Sequence, residues 1–118
     1  MTGRIRAWVM LAVLGLPLPA LAHAILLEGM PAAGQSVAAG KIRVVLRFNS
    51  RIDAMRSRIA LVEGNDTRVL TIAAGATPDV LVAEVEVMPG PQVLRWQVLA
   101  IDGHITRGEI RFNVETAR

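Results

Sequence analysis

Apolar and polar residues alternate along much of this chain with a period of two residues. Over residues 41–48 every second side chain is apolar, and the side chains between them are mostly charged. Such a segment forms a strand with one buried face and one solvent-exposed face. The same alternation recurs over residues 81–87, 94–98 and 110–114. The four segments therefore predict a protein built mainly from half-buried β-strands.

Three weaker segments fill the gaps between these strands. They lie near residues 24–28, 57–63 and 67–73, and the last two are joined by Gly64-Asn65-Asp66, a turn-forming triplet that predicts a hairpin. Residues 49–56 are interpreted as a loop or a single helical turn. About seven short strands with frequent turn signals predict an all-β fold, either a sandwich or a small barrel.

The first 22 residues break this pattern. Two arginines precede an apolar run over residues 7–16, which is followed by two prolines and by Ala20-Leu21-Ala22. This order is typical of a signal peptide that is cleaved after Ala22. A membrane anchor is disfavoured, because the run is shorter than the roughly 20 apolar residues that span a bilayer. We therefore predict a signal peptide at 1–22 and one exported domain at 23–118, with no membrane insertion after cleavage.

Composition narrows the classes of function. The whole sequence has 13 basic and 10 acidic residues, and loss of Arg4 and Arg6 with the leader leaves a formal net charge of +1. A nearly neutral domain without a basic cluster argues against nucleic acid as a partner. The sequence has no cysteine, which excludes disulfides and removes thiolates from the candidate metal ligands and nucleophiles.

The two histidines are the most informative residues for function. His23 directly follows the predicted cleavage site, so it would become the first residue and offer both its α-amine and its imidazole to one metal ion. His104 lies two residues after Asp102; an extended chain would direct both side chains to one face, and Gly103 between them would permit a turn. Two imidazoles, an amine and a carboxylate form a nitrogen and oxygen ligand set that suits Cu(II).

Each half of this candidate site also has a simpler interpretation. An Asp-x-His pair is often a loop or a hydrogen-bonded pair, and a histidine after a cleavage site is often incidental. The co-occurrence of the two halves favours a metal site, because the sequence holds no other histidine. Whether the halves meet in space is left open by the sequence.

Both ends of the predicted exported domain carry recognisable motifs. The chain after the predicted cleavage begins His23-Ala24-Ile25-Leu26, and Pro31-Ala32-Ala33-Gly34 follows. It closes with a Trp96 to His104 segment that ends in Asp-Gly-His, and then with a Gly108 to Val114 segment that contains Phe112. In its N-terminal histidine, Pro-Ala-x-Gly turn and C-terminal motifs, the sequence resembles the CopC family of periplasmic copper-resistance proteins, and the resemblance covers essentially the whole exported domain.

The resemblance implies a seven-stranded Greek-key β-sandwich of immunoglobulin-like or cupredoxin-like appearance. It also implies one Cu(II) per chain, bound by the amine and ring of His23, by His104, and by Asp102 as a ligand or an orienting group. The implied function is a periplasmic copper carrier or buffer in copper resistance and homeostasis. This protein would be a monomer without enzymatic activity, and it would pass copper to an inner-membrane transport partner.

The sequence departs from the family pattern at several positions. Ile105 replaces the usual proline after the histidine, and Phe48-Asn49-Ser50 replaces a Phe-Ser-Glu segment, which puts a fourth ligand or supporting acidic residue near Ser50 in doubt. Met55 is the only methionine in the region where some relatives have a methionine-rich Cu(I) segment. Because one thioether is too few for a soft site, we predict no dedicated Cu(I) site.

Two alternative functions compete with the copper carrier. An N-terminal histidine chelate with a second histidine is also the ligand set of copper-dependent monooxygenases, but this domain has one tryptophan and no tyrosine for stacking on sugars. The other alternative is a metal-free interaction module that recruits partners at an exposed strand edge. An N-terminus far from His104 would favour the interaction module.

Overall fold

A computed structural model describes residues 24–117. The chain there forms one short 3₁₀ helix at Ala54–Arg56 and nine strands: β1 (Leu26–Met30), β2 (Ser36–Ala38), β3 (Gly40–Phe48), β4 (Arg58–Glu63), β5 (Asp66–Val69), β6 (Ala73–Ala74), β7 (Val80–Val87), β8 (Gly90–Leu99) and β9 (Ile105–Glu115). No helix within these residues has the length and apolar character needed to cross a membrane. The predicted signal peptide at 1–22 and the predicted ligand His23 lie outside the described residues and stay predictions.

The strands form two sheets that pack face to face. One sheet has four strands in the order β1-β3-β7-β6, and the other has five strands in the order β2-β9-β8-β4-β5. All neighbouring strands are antiparallel except β2 and β9, which run parallel. This architecture confirms the predicted all-β sandwich. The short strand β2 is an addition to the seven predicted ones, and β6 results from the division of one of them.

One predicted strand is divided between the two sheets. The segment near residues 67–73 forms β5 in the five-stranded sheet and β6 in the four-stranded sheet. The chain changes sheets at Leu70, which is buried and donates its N–H to the carbonyl of Ile59 at 2.8 Å. A buried leucine in the connection lets the chain cross the edge of the sandwich without exposing its apolar side chain. The predicted hairpin is confirmed, because Glu63 pairs with Asp66 across the turn.

The alternating apolar residues of the long strands form the core between the sheets. Phe48 at the end of β3 is fully buried, and its ring meets the Trp96 ring edge to face, with 5.2 Å between ring centroids and 74° between planes. Burial of each large apolar side chain stabilises the fold by about 1.5–3 kcal/mol relative to exposure. The other buried apolar residues of the long strands are Val44, Leu46, Leu81, Ala83, Val85, Val87, Leu94, Val98, Ile110, Phe112 and Val114.

The indole of Trp96 lies over a glycine in the neighbouring strand. Gly108 of β9 pairs with Trp96 of β8, and a Cβ atom added at Gly108 would lie 2.2 Å from Cζ2 of that indole. Only glycine therefore leaves room for the ring at this position. The contact fixes the start of β9 against the core, and with it the turn that precedes β9.

Candidate metal centre

The turn between β8 and β9 carries the predicted Asp-Gly-His motif at one end of the sandwich. Two backbone hydrogen bonds of 2.8 Å close the turn: Gly103 N–H donates to Ala100 C=O, and Ala100 N–H donates to His104 C=O. Gly103 has a φ of +93°, in the left-handed region that favours glycine. We call Asp102, Gly103 and His104 the Asp-Gly-His corner.

Asp102 and His104 contact each other through both oxygens of the carboxylate. Oδ1 of Asp102 accepts the backbone N–H of His104 at 3.1 Å, and Oδ2 lies 3.0 Å from Nδ1 of the imidazole. The predicted convergence of the two side chains is observed, but it results from the turn rather than from extended backbone. The geometry is also that of the hydrogen-bonded pair considered as the simpler interpretation.

The contacts in the corner keep Asp102 ionised. The backbone N–H of His104 is the main cause that lowers the pKa of Asp102, and the imidazole lowers it further, whereas partial desolvation acts in the opposite direction. An ionised carboxylate beside one ring nitrogen orients the imidazole so that the other nitrogen can face a metal ion. The side chains of Asp102 and His104 are 30% and 53% exposed, so an ion can reach them from solvent.

The first described residues are held at the end of β3. Ile25 N–H donates to Oδ1 of Asn49 at 2.7 Å, and Asn49 N–H donates back to Ile25 C=O at 3.0 Å. Ala24 is 1% exposed and belongs to the core. The chain therefore enters the sandwich beside Phe48, with residue 24 fixed by packing and residue 25 by two hydrogen bonds.

The segment that follows Asn49 connects this entry point to the Asp-Gly-His corner. Ile101 N–H donates to Arg51 C=O at 3.0 Å, and Ile52 forms an isolated antiparallel bridge with Ala100. The connecting segment thus contacts the chain entry on one side and the residues just before Asp102 on the other. Ala24 and the Asp-Gly-His corner therefore lie at the same end of the sandwich. The position of His23, on which the interaction-module alternative depends, lies outside the described residues.

Sequence reasoning missed the structural roles of Asn49 and Arg51. The sequence marks Asn49 only as part of a departure from the family pattern, and it gives no sign that the backbone of Arg51 holds the corner. Their partners, Ile25 and Ile101, are 24 and 50 positions away in the sequence, and no local pattern links such distant residues. A polar residue directly after the apolar end of β3 was the only available signal.

The described residues supply part of a metal site. Within 24–117, no group of three or more histidine, aspartate or glutamate side chains is placed to hold an ion. The corner supplies one carboxylate and one imidazole, and this nitrogen and oxygen chemistry fits Cu(II). A complete four-ligand site would need further donors from outside the described residues, and His23 is the adjoining residue, directly before Ala24.

The fold and the corner define a small β-sandwich protein with a candidate metal-ligand pair at the end that holds Ala24. The CopC domain model matches residues 26–115, so the chain belongs to the CopC family. The matched region includes both described candidate ligands and all nine strands.

Solved structures agree with this assignment. The crystal structure of CopC from Methylosinus trichosporium OB3b is 28% identical and has a TM-score of 0.72; the match covers 81% of this chain and 97% of that one. PcoC from Escherichia coli, described as a methionine-rich copper resistance protein, shares the fold at 23% identity and a TM-score of 0.65, with 80% and 100% of the two chains covered. No curated protein matches the chain.

Proposed function

We propose that this protein binds one Cu(II) ion at the Asp-Gly-His corner and serves as a periplasmic copper carrier or buffer in copper resistance. Removal of the leader would make His23 the first residue, and its amine and ring would complete the site with His104 and Asp102. The observation that carries the proposal is the hydrogen-bonded Asp102–His104 pair at the same end as Ala24. Membership of the CopC family supports copper as the metal.

The geometry of the corner suggests distinct roles for His104 and Asp102. Because Nδ1 of His104 contacts Asp102, we assign Nε2 to the copper ion. Asp102 then orients the imidazole and compensates part of the cation's charge, as carboxylates next to metal-bound histidines do. His23 would chelate through two nitrogens, which gives a nitrogen-rich equatorial set with the tetragonal preference of Cu(II).

A carrier role needs no catalytic group beyond the ligands. The proposed cargo is Cu(II) itself, and an exposed corner allows a partner to take it over. We propose an inner-membrane copper transporter as that partner and a monomer as the working form. The exported domain has one tryptophan and no tyrosine, so it offers few aromatic groups for a polysaccharide substrate.

Titration of the processed protein with Cu(II), against a competing chelator, tests the site directly. We expect one Cu(II) per chain and an electron paramagnetic resonance spectrum of a type 2 centre. His23→Ala and His104→Ala should each abolish tight binding, and Asp102→Asn should weaken it by roughly 10- to 100-fold. Asp66→Asn, a matched change in the β4–β5 hairpin, should leave binding unchanged. Tight binding retained in His104→Ala would refute the site.

The position of the leader cleavage provides a second test. N-terminal sequencing of the exported protein should find His23 as its first residue. A protein with one extra residue before His23 keeps the ring but loses the terminal amine, so its Cu(II) affinity should fall by at least about 10-fold. Equal Cu(II) affinity of the two forms would show that the α-amine of His23 is not a copper ligand.

A further inference from the structure

The outer face of the five-stranded sheet is rich in arginine. The side chains of β4, β8 and β9 that point away from the core include four exposed arginines, Arg58, Arg95, Arg107 and Arg111. We call these four residues the arginine face. The outward positions of the same three strands carry two acidic residues, Glu109 and Glu115.

The ion pairs of this face leave two arginines without an acidic partner. Glu109 contacts both Arg95, at 2.9 Å, and Arg111, at 3.3 Å. Arg107 donates its Nε–H to the neutral side chain of Gln97 at 2.8 Å. Among residues 24–117, no carboxylate forms an ion pair with Arg58 or Arg107.

These two arginines flank a groove. Gln97 pairs with Arg58 on one side and with Arg107 on the other, so the three residues form a row across β4, β8 and β9. The strand spacing of about 4.8 Å puts the Cα atoms of Arg58 and Arg107 about 10 Å apart. The row borders a groove of about 360 Å³ that also contacts Ala60, whose small side chain leaves the space open, and the ion-paired Arg95 and Glu109.

The outer face of the other sheet lacks this excess of positive charge. Its outward positions hold three basic residues (Lys41, Arg43, Arg47) and three acidic residues (Glu28, Glu84, Glu86). Lys41 lies 3.9 Å from Glu84, and Arg47 lies 3.1 Å from Glu28. Uncompensated positive charge is therefore a property of one face, and such one-sided charge steers a complementary partner.

We propose that the arginine face binds an acidic, extended segment of a partner protein across the Arg58–Gln97–Arg107 row. Guanidinium groups bind carboxylates with two parallel hydrogen bonds. An extended chain advances about 3.3 Å per residue and directs every second side chain to the same face. Carboxylates two or four residues apart, about 7 or 13 Å, therefore face the row together, and the long arginine side chains can reach either spacing. Gln97 between them can hydrogen-bond to the backbone of the segment. This inference does not depend on copper binding.

A protein segment fits this groove better than a lipid surface does. Membrane-binding faces combine basic residues with large apolar side chains that enter the bilayer. The outward side chains that line the groove are charged, polar or small, and they include Ala60 and Gln97. Trp96 also borders the groove, but it is only 8% exposed and its ring packs inward against Phe48. A concave surface admits a single chain, whereas a flat bilayer would touch only its rims. Arg107 follows His104 by three residues, so the bound segment would lie close to the Asp-Gly-His corner.

Fluorescence anisotropy with a labelled peptide of eight glutamates tests the proposal on the purified, metal-free protein. The peptide should bind at low ionic strength and dissociate as salt is raised, since screening shortens the range of these charges. A protein with Arg58→Glu and Arg107→Glu should bind at least 10-fold more weakly. The matched control with Lys41→Glu and Arg43→Glu has the same net charge and should bind as the unmodified protein does.

Three outcomes would overturn the proposal. They are no binding of the eight-glutamate peptide at low salt, an equal loss in both double variants, and equal binding of a neutral eight-glutamine peptide. Vesicles containing phosphatidylglycerol provide a further arm, because binding to vesicles without binding to the peptide would replace the protein partner with a membrane. Thermal unfolding checks the fold of each variant; should the Glu pair unfold the protein, Arg58→Gln with Arg107→Gln takes its place with the same expected loss.

Discussion

The interior around Phe48 and the Asp-Gly-His corner lie at the same end of the molecule but are stabilised differently. Phe48 is fully buried, and Trp96 is 8% exposed and packs against it. His104 is 53% exposed and is oriented by hydrogen bonds to Asp102. Apolar burial contributes most of the folding free energy. The exposed hydrogen bonds of the corner contribute little to stability and mainly orient the imidazole of His104.

This difference implies that stability and metal chemistry depend on largely separate residues. Two connections link them: Gly108 holds the start of β9 against Trp96, and Asn49 holds the chain entry at the end of β3. Substitutions in the interior should therefore lower the free energy of unfolding, and substitutions in the corner should lower metal affinity. Substitutions at the two connections should affect both properties.

Phe48→Ala should cause the largest loss of stability. Truncation removes a fully buried ring and its contact with Trp96, and such changes cost about 3–5 kcal/mol. Urea unfolding of the metal-free protein measures the loss. Ile101→Ala, at a 67% exposed position beside the corner, serves as the control and should change stability little. A loss below about 1 kcal/mol for Phe48→Ala would mean that this part of the interior is not the centre of the core.

Gly108→Ala should cost about 1–3 kcal/mol, because its Cβ would clash with a buried indole that cannot move freely. The entropic benefit of replacing glycine is smaller, about 0.4–1 kcal/mol, so the clash should dominate. A double-mutant cycle with Trp96→Phe isolates the contact, since the smaller ring removes Cζ2. Additive losses in the cycle would show that the clash with Trp96 is not the cause.

Asn49→Ala should lower stability by about 1 kcal/mol and also weaken Cu(II) binding. The amide side chain accepts the Ile25 N–H, and loss of one such hydrogen bond costs about 0.5–1.5 kcal/mol. Release of the chain entry should reduce the Cu(II) affinity by roughly 10-fold or more, as loss of supporting groups does in metal sites. Asn113→Ala, at an exposed outward position of β9, is the matched control for both measurements. An unchanged Cu(II) affinity in Asn49→Ala would show that the hydrogen bond between Asn49 and Ile25 does not support the metal site.

The sequence predicts which face of a strand is buried better than it predicts which strands are neighbours. Alternation over 41–48, 81–87, 94–98 and 110–114 marks strands that the structure contains, because a period of two reflects one buried face. The same alternation contains no information on which strands pair with each other. The division of residues 67–73 between two sheets depends on packing across the sandwich, so it was not predictable from local pattern.

The candidate site shows the same limit. The convergence of Asp102 and His104 is local, and the motif with its central glycine predicts it. The proximity of Ala24 to the corner depends on long-range pairing through the segment that begins at Asn49. The arginine face depends on the register of three strands, which places Arg58 and Arg107 in one row although 48 other residues separate them in the sequence.

The smallest expected effect is on the pH dependence of stability in the metal-free protein. Three aspartates have a lowered pKa in the folded chain: Asp53 because of Arg56, Asp79 because of the Thr77 hydroxyl, and Asp102 because of the His104 N–H. Below the ordinary pKa of 3.8, the unfolded chain binds more protons than the folded one, so stability rises with pH in that window. The contribution is fully present above this value and is lost as the pH falls through the lowered pKa values.

Urea unfolding at several pH values between 7 and about 2 measures this contribution. The unmodified protein should lose stability as the pH falls below the ordinary aspartate pKa of 3.8, and a variant with Asp53→Asn, Asp79→Asn and Asp102→Asn should lose less over the same range. The two curves should therefore approach each other in acid. Curves that stay parallel would show that other groups cause the loss of stability in acid. The Asp102–His104 pair would then orient the metal ligand without contributing measurably to the free energy of unfolding.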